Sequence, residues 1–329
     1  MQKQQLLAAY NRGDRHLQNS ELSGLNLSGE TFAQTDFRYS DFSHCCLDRI
    51  NFSHGQFHSS NFQQASLFGG NLSYAKLQNC NFQQADLTKT DLRGACLNRS
   101  NLDNAQLSGA ILHWASFYQT QMRNVNLCGA NLRGINFRSA DLTNANLSWC
   151  NLSSAKLSGA ILGGTNLDGV RLKGAYLNAL DLSGRNFEGL DLREIIFNGG
   201  LCNETRLVGA NLSHAHLRLT QFIDTVFDQG NLCHANFRES NLQRASLKRV
   251  EAIAADFGQS QLSQADFSNA NLQDANFAGA DLSGANFHNA NLQGANFTNT
   301  DLTDTQLTTA QLNTCILGET QLPQALTAA

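Results

Sequence analysis

The chain has 329 residues, a formal net charge of −4, a single proline, 26 glycines and only 15% charged side chains. So weak a net charge argues against a strongly basic nucleic-acid binder and against an acidic surface that imitates nucleic acid. One proline and no shift in composition leave no visible linker between compact domains.

The first element is a short helix. QKQQLLAAY, followed by Asn11, Arg12 and Gly13, combines helix-forming residues with a glycine stop, and residues 1–16 are read as a cap. Its apolar run is too short for a secretory h-region, and no stretch approaches the roughly 18 apolar residues of a membrane span, so a cytoplasmic protein is expected.

From Leu17 to Leu322 every fifth residue is Leu or Phe in 59 of 62 places, the exceptions being Met122, Cys202 and Ala252, and no insertion shifts the phase. A small residue lies two positions earlier, as in the run NLQDANFAGADLSGANF, so the unit reads A(D/N)(L/F)XX. A period of five suits neither a helix nor a flat half-buried strand. A turn must recur in each unit, and Gly94, Gly129, Gly134, Gly169, Gly174, Gly279 and Gly294 stand where it would need positive φ.

Nineteen of the 20 Phe occupy the central position and nine of them differ by multiples of 20, so four units make one coil and residues i and i+20 stack. Nine cysteines without a CxxC pair, four of them (Cys45, Cys80, Cys150, Cys315) at the small inward position, read as buried thiols in a reducing compartment. After Leu322 only residues 323–329 remain, too few for a substantial C-terminal cap.

The repeated A(D/N)(L/F)XX unit resembles the pentapeptide-repeat family, and the N-terminal pattern is similar to that of several cyanobacterial members. The resemblance implies an all-β fold: a right-handed quadrilateral β-helix of about 15 coils over residues 17–322, on the order of 70 Å long at the roughly 4.8 Å spacing of stacked strands.

A filled tube offers ladder faces and not an enclosed polar pocket, so no catalytic residue and no cofactor is expected. Asp281 and Asp301 stack one coil apart but lack an enclosing site. His214, Cys233 and His234 have zinc-compatible side chains without a fourth ligand set by spacing, and surface metal binding is a minor alternative. Arg93, His113, Arg133, Lys173 and Arg193 form one basic column, and Arg238, Arg244, Lys248 and Arg249 a second cluster. With acidic neighbours and no aromatic stacking platform beside them, nucleic acid is an unfavoured partner.

The repeat lapses most densely between 176 and 227. There Leu180, Arg185, Leu190 and Ile195 replace the small residue, and Tyr176, Ile196, Leu201, His216, Leu219, Ile223 and Val226 occupy outward positions. Two readings stand side by side: a docking patch for a protein partner, or a bulge or excursion that buries these groups. Trp114, Tyr118 and Trp149 form a second candidate. The function expected is a non-enzymatic interaction scaffold or regulator. The resemblance supplies an alternative, since some members mimic DNA and protect gyrase. The exposed C-terminal edge would admit a homodimer.

Overall fold

The computed structural model describes residues 2–321. Met1 at the start of the cap, Leu322 at the end of the repeat and the tail 323–329 with Pro323 lie outside the described residues. Contacts divide the chain into two compact units, Met1–Arg171 and Leu172–Ala329. Among the described residues no helix is long and apolar enough to cross a membrane.

The first unit opens with helix α1 (Lys3–Asn11), whose start is held by the Gln2 N–H donating to Gln5 Oε1. It stops where Gly13 takes a φ of 92°, its N–H returning to Tyr10 O. Leu6 is fully buried, the Tyr10 ring meets Phe32 edge-on at 5.2 Å, and Arg15 lies 3.7 Å over the Tyr10 ring. Lys3 pairs with Glu30 at 2.9 Å, which gives a charged residue at an inward position its partner.

In both units each pentapeptide is one bridging residue followed by a turn, and every bridge is parallel and joins residues 20 apart, such as Asn61 to Asn81 and Asn276 to Asn296. Twenty residues at five per turn make each coil four-sided. The sides are lettered by sequence phase within each unit. Side A carries 36, 56, 76 and 176, 196, 216; side B 41, 61 and 181, 201; side C 46, 66 and 186, 206; side D 51, 71 and 191, 211.

The hydrogen bonding of Asn61–Ala65 explains the repeat residue by residue. Asn61 N–H donates to Ser40 O, Phe62 N–H to Asn81 O and Gln64 N–H to Gln83 O, all between coils. Ala65 N–H closes the turn on Phe62 O. That leaves the N–H of Gln63, which donates to the side-chain Oδ1 of Asn61 at 3.1 Å. Asn276–Ala280 in the second unit repeats all five bonds. Asp or Asn is therefore preferred at the first position because it accepts the one N–H the backbone cannot satisfy. The fourth residue pays with a left-handed conformation, even where it is Gln64 (φ 56°) or Trp114 (φ 63°).

Inside, Leu and Phe are buried and the rings stack in register: Phe237, Phe257, Phe277 and Phe297 follow one another at 5.1–5.2 Å. Buried Ser, Thr and Cys at the small position donate to the carbonyl 23 residues earlier, as Ser60 does to Phe37, Cys80 to Phe57 and Thr220 to Phe197. Ala, Ser, Thr and Cys are thus interchangeable there: each fits, and the polar ones are satisfied.

Neither a bulge nor an excursion occurs among residues 172–227, where bridge and turn recur without interruption. The oversized inward side chains are held within the regular turn, whose bond persists at 3.2–3.4 Å at Leu180, Arg185, Leu190 and Ile195. Arg185 and Leu190 are only partly buried, so the guanidinium avoids full desolvation.

At Ile196 and His216 the acceptor shifts by one coil. With Ile196 and His216 unable to hold the next turn, Asn198 N–H donates to Asn178 Oδ1 (2.8 Å) and Arg218 N–H to Asn198 Oδ1 (3.0 Å), each one coil back. Asn198→Ala is therefore expected to cost about 0.5–1.5 kcal/mol by removing the acceptor of the Arg218 N–H. Adding His216→Asn, which restores a local acceptor, should recover most of that loss. Urea unfolding of the two variants checks it, and equal destabilisation of single and double variants would contradict the assignment.

Candidate interaction surface

The seven apolar and histidine candidates of the second unit do not share a face. Tyr176, Ile196 and His216 follow one another along side A, bridged in sequence. Leu219, 54% exposed, stands at the turn between A and B, Leu201 on side B, Ile223 at the turn between B and C, and Val226 on side C. Ile196, Ile223 and Val226 are half-buried against their neighbours. The largest continuous stretch is the side A column with Leu219 at its corner.

Trp114, Tyr118 and Trp149 are likewise separate. Trp114 (67% exposed) and Trp149 (72%) lie on different corners, each ring seated over a glycine one coil on: a Cβ on Gly134 would come within 2.9 Å of Trp114, and one on Gly169 within 2.5 Å of Trp149. Tyr74 covers Gly94 in the same way, and His54 stacks on Tyr74 at 5.1 Å. At these three positions the missing Cβ makes room for the ring.

Tyr74 and Trp114 correct the expectation that no aromatic platform accompanies the basic column, because they flank Arg93, His113 and Arg133 directly. Trp114, His113, Asn131 and Arg133 line an open groove of about 350 Å³, where the buried His113 Nδ1 has no hydrogen-bond partner. The column's charge is largely spent, however. Arg93 clasps Asp91 and Arg193 clasps Asp191 through two nitrogens each, and Lys173 pairs with Glu194. In the second cluster Arg244 is bound to Asp224, Arg238 lies 3.9 Å from Asp256 and Lys248 3.4 Å from Asp266.

Uncompensated positive charge gathers elsewhere, on side A of the first unit. Arg38, Gln56, His58, Lys76, Gln78, Asn79, Asn98, Arg99 and Tyr118 line an open groove of about 440 Å³. Arg138 and Lys156 continue the same side. Its carboxylate, Asp36, is occupied: burial opposes its ionisation, but hydrogen bonds from Arg38 and Gln18 outweigh that and hold the carboxyl below its ordinary range. Lys76, Arg99, Arg138 and Lys156 make no ion pair among the described residues; Arg99 and Arg138 bond only to the amide oxygens of Gln119 and Asn136. Amide, hydroxyl and cationic side chains line it, which suits an anionic, hydrogen-bonding partner.

The near-neutral total conceals this polarity. The first unit has 14 Lys and Arg against 11 Asp and Glu, and the second 9 against 16, so the balances are +3 and −7. From Val250 to the end of the sequence there are eight acidic residues and no Lys or Arg. Reading the sequence in rows of 20 would have revealed the basic side, since its members sit at different positions of the five-residue unit.

His214 and His234 stack ring on ring at 4.9 Å and 11°, with Cys233 in the next repeat position. Stacked rings present faces and do not converge their nitrogens, and no group of three metal-ligating side chains forms among the described residues. Asp281 and Asp301 are bridged neighbours on side B, both exposed. Hydrogen bonds from the Thr303 hydroxyl and N–H lower the Asp301 carboxyl, opposite to the shift a general acid needs.

A scan of family models matches "Pentapeptide repeats" in eight copies, the first over residues 16–54 and the last over 215–251, and "Pentapeptide repeat region" over 253–325. Similar solved structures include HetL, a pentapeptide repeat protein involved in heterocyst differentiation regulation from the cyanobacterium Nostoc sp. strain PCC 7120. It is 22% identical over 98% of this chain and 98% of its own, with a TM-score of 0.24. Rfr23 from the cyanobacterium Cyanothece 51142 is 22% identical over 51% of this chain and 94% of its own (TM-score 0.20). Full-length QnrB1, a plasmid-mediated fluoroquinolone resistance protein, is 20% identical over 61% and 93% (TM-score 0.25). No curated protein matches significantly.

Burial pushes the Cys45 thiol up to about 11 and those of Cys80, Cys150 and Cys202 up to about 12. These four should resist a maleimide in the folded chain at about pH 8 while exposed Cys46 reacts. Mass spectrometry of the labelled sites checks this. Since an unfolded thiol loses its proton near 8.5, their contribution to stability is complete below that pH and falls as pH rises toward the folded values.

Proposed function

The chain belongs to the pentapeptide-repeat family, whose members fold as right-handed quadrilateral β-helices and are generally structural or interaction proteins, and we propose that it is a non-enzymatic scaffold or regulator docking an acidic protein surface on side A of its first unit. The reading rests on the four cations gathered there without an ion pair among the described residues, whereas seven of the nine Lys and Arg of the second unit are paired with carboxylates. Exposed ion pairs add little to folding, so cations left free cost the fold nothing and remain available for recognition. Nine free thiols, several buried, favour a reducing cytoplasmic setting.

The column Tyr176, Ile196 and His216, with Leu219 at its corner, is a subsidiary contact in this reading. The turns after Ile196 and His216 do not depend on those two side chains, because the acceptor one coil back holds them. Lys76→Glu with Arg99→Glu and Arg138→Glu should weaken binding of a fluorescent Glu-rich peptide at least tenfold. Ile196→Ser with Leu219→Ser should leave that binding unchanged. Fluorescence anisotropy reads both; equal binding by the charge-reversed protein contradicts the proposal.

The alternative, a DNA-mimicking modulator of gyrase, draws on the acidic stretch after Val250, where no Lys or Arg interrupts eight carboxylates. A supercoiling assay at micromolar protein separates the two. The interaction reading expects no inhibition and no rescue from a quinolone.

A further inference from the structure

The occupant of the basic side is present in the sequence itself. On side B and its adjoining corner, near the end of the second unit, Asp281, Asp301 and Asp304 are all exposed and make no ion pair among the described residues. Asp281 and Asp301 are bridged neighbours, so two carboxylates one coil apart are held side by side with no cation between them. Their hydrogen bonds come only from Ser283 and Thr303, which hold the turns. Both carboxylates stand exposed on adjacent coils, open to pairing with a partner's cations.

Lys76, Arg99 and Arg138 carry the complementary charge along side A of the first unit and its corner, also exposed and without ion-pair partners among the described residues. Both surfaces are ladders on rigid coils, so neither must be ordered on contact. We infer that the basic side A of one copy docks on the acidic side B of a second copy, making self-association the regulator of access to side A. The inference rests on side A being the docking surface. Its added content is that a second copy competes with other acidic partners.

The contact is heterologous, basic patch to acidic patch, so association does not stop of itself at a dimer, and mass should rise with concentration. It is electrostatic and exposed, and therefore sensitive to salt: the screening length shortens from about 10 Å at 0.1 M to about 3 Å at 1 M.

Sedimentation of the full chain tests it. Wild type should associate in about 50 mM salt, and at least tenfold more weakly in about 0.5 M salt. Lys76→Glu/Arg99→Glu/Arg138→Glu should be monomeric, as should Asp281→Asn/Asp301→Asn/Asp304→Asn, in which the amide keeps the acceptor each turn requires. Mixed together, the two variants should associate again, because each retains the surface the other lacks; circular dichroism confirms that both are folded. A monomeric wild type at low salt, association indifferent to either set of substitutions, or failure of the mixture overturns the inference. Should the Glu-rich peptide still bind side A in that event, the reading of the preceding subsection survives. If the peptide also fails to bind, both fall.

Discussion

One backbone N–H in five governs this molecule. A coil that turns every five residues can satisfy four of its five donors through its neighbours and its own turn, and the fifth, at the third position, is left to a side chain. An Asx oxygen on the first residue accepts it at Gln63, and one from the coil before accepts it at Asn198. The Asx oxygen thus holds the turn that directs Leu and Phe inward, and the stacked core follows from that turn.

That division of labour frees the surface. Where Asn178 and Asn198 supply the acceptor, Ile196 and His216 can be changed without loss of the turn. Where a glycine follows 20 residues on, an aromatic side chain can lie flat on the next coil. Recognition in such a fold is written along columns of 20, across repeat positions, and a groove such as that from Arg38 to Tyr118 is assembled from residues up to 80 apart in sequence. The same geometry concentrates charge, since a small bias per coil adds up along a side.

The five-residue period, the four-sided coil and the helix ended by Gly13 were all legible in the sequence, because core volume and backbone turning repeat at every unit and tolerate little variation. The lapse at 176–227 was legible as a place but not as a geometry. Oversized residues such as Ile195 could be absorbed by a bulge or within the regular turn, and only packing selects between them; here the turn is kept. The seven candidates there also proved to lie on three sides, since neighbours in sequence turn a corner every five residues.

The amino-acid sequence by itself determined the repeating unit, its inward and outward positions and the register of 20, because these follow from local turns and a uniform core. Tertiary structure alone decided which charges are free. Arg244 and Lys76 look alike in the sequence, but Arg244 is bound by Asp224 one coil back while no carboxylate pairs with Lys76 among the described residues. Pairing depends on side-chain reach across corners and between coils, distances that a one-dimensional period does not contain.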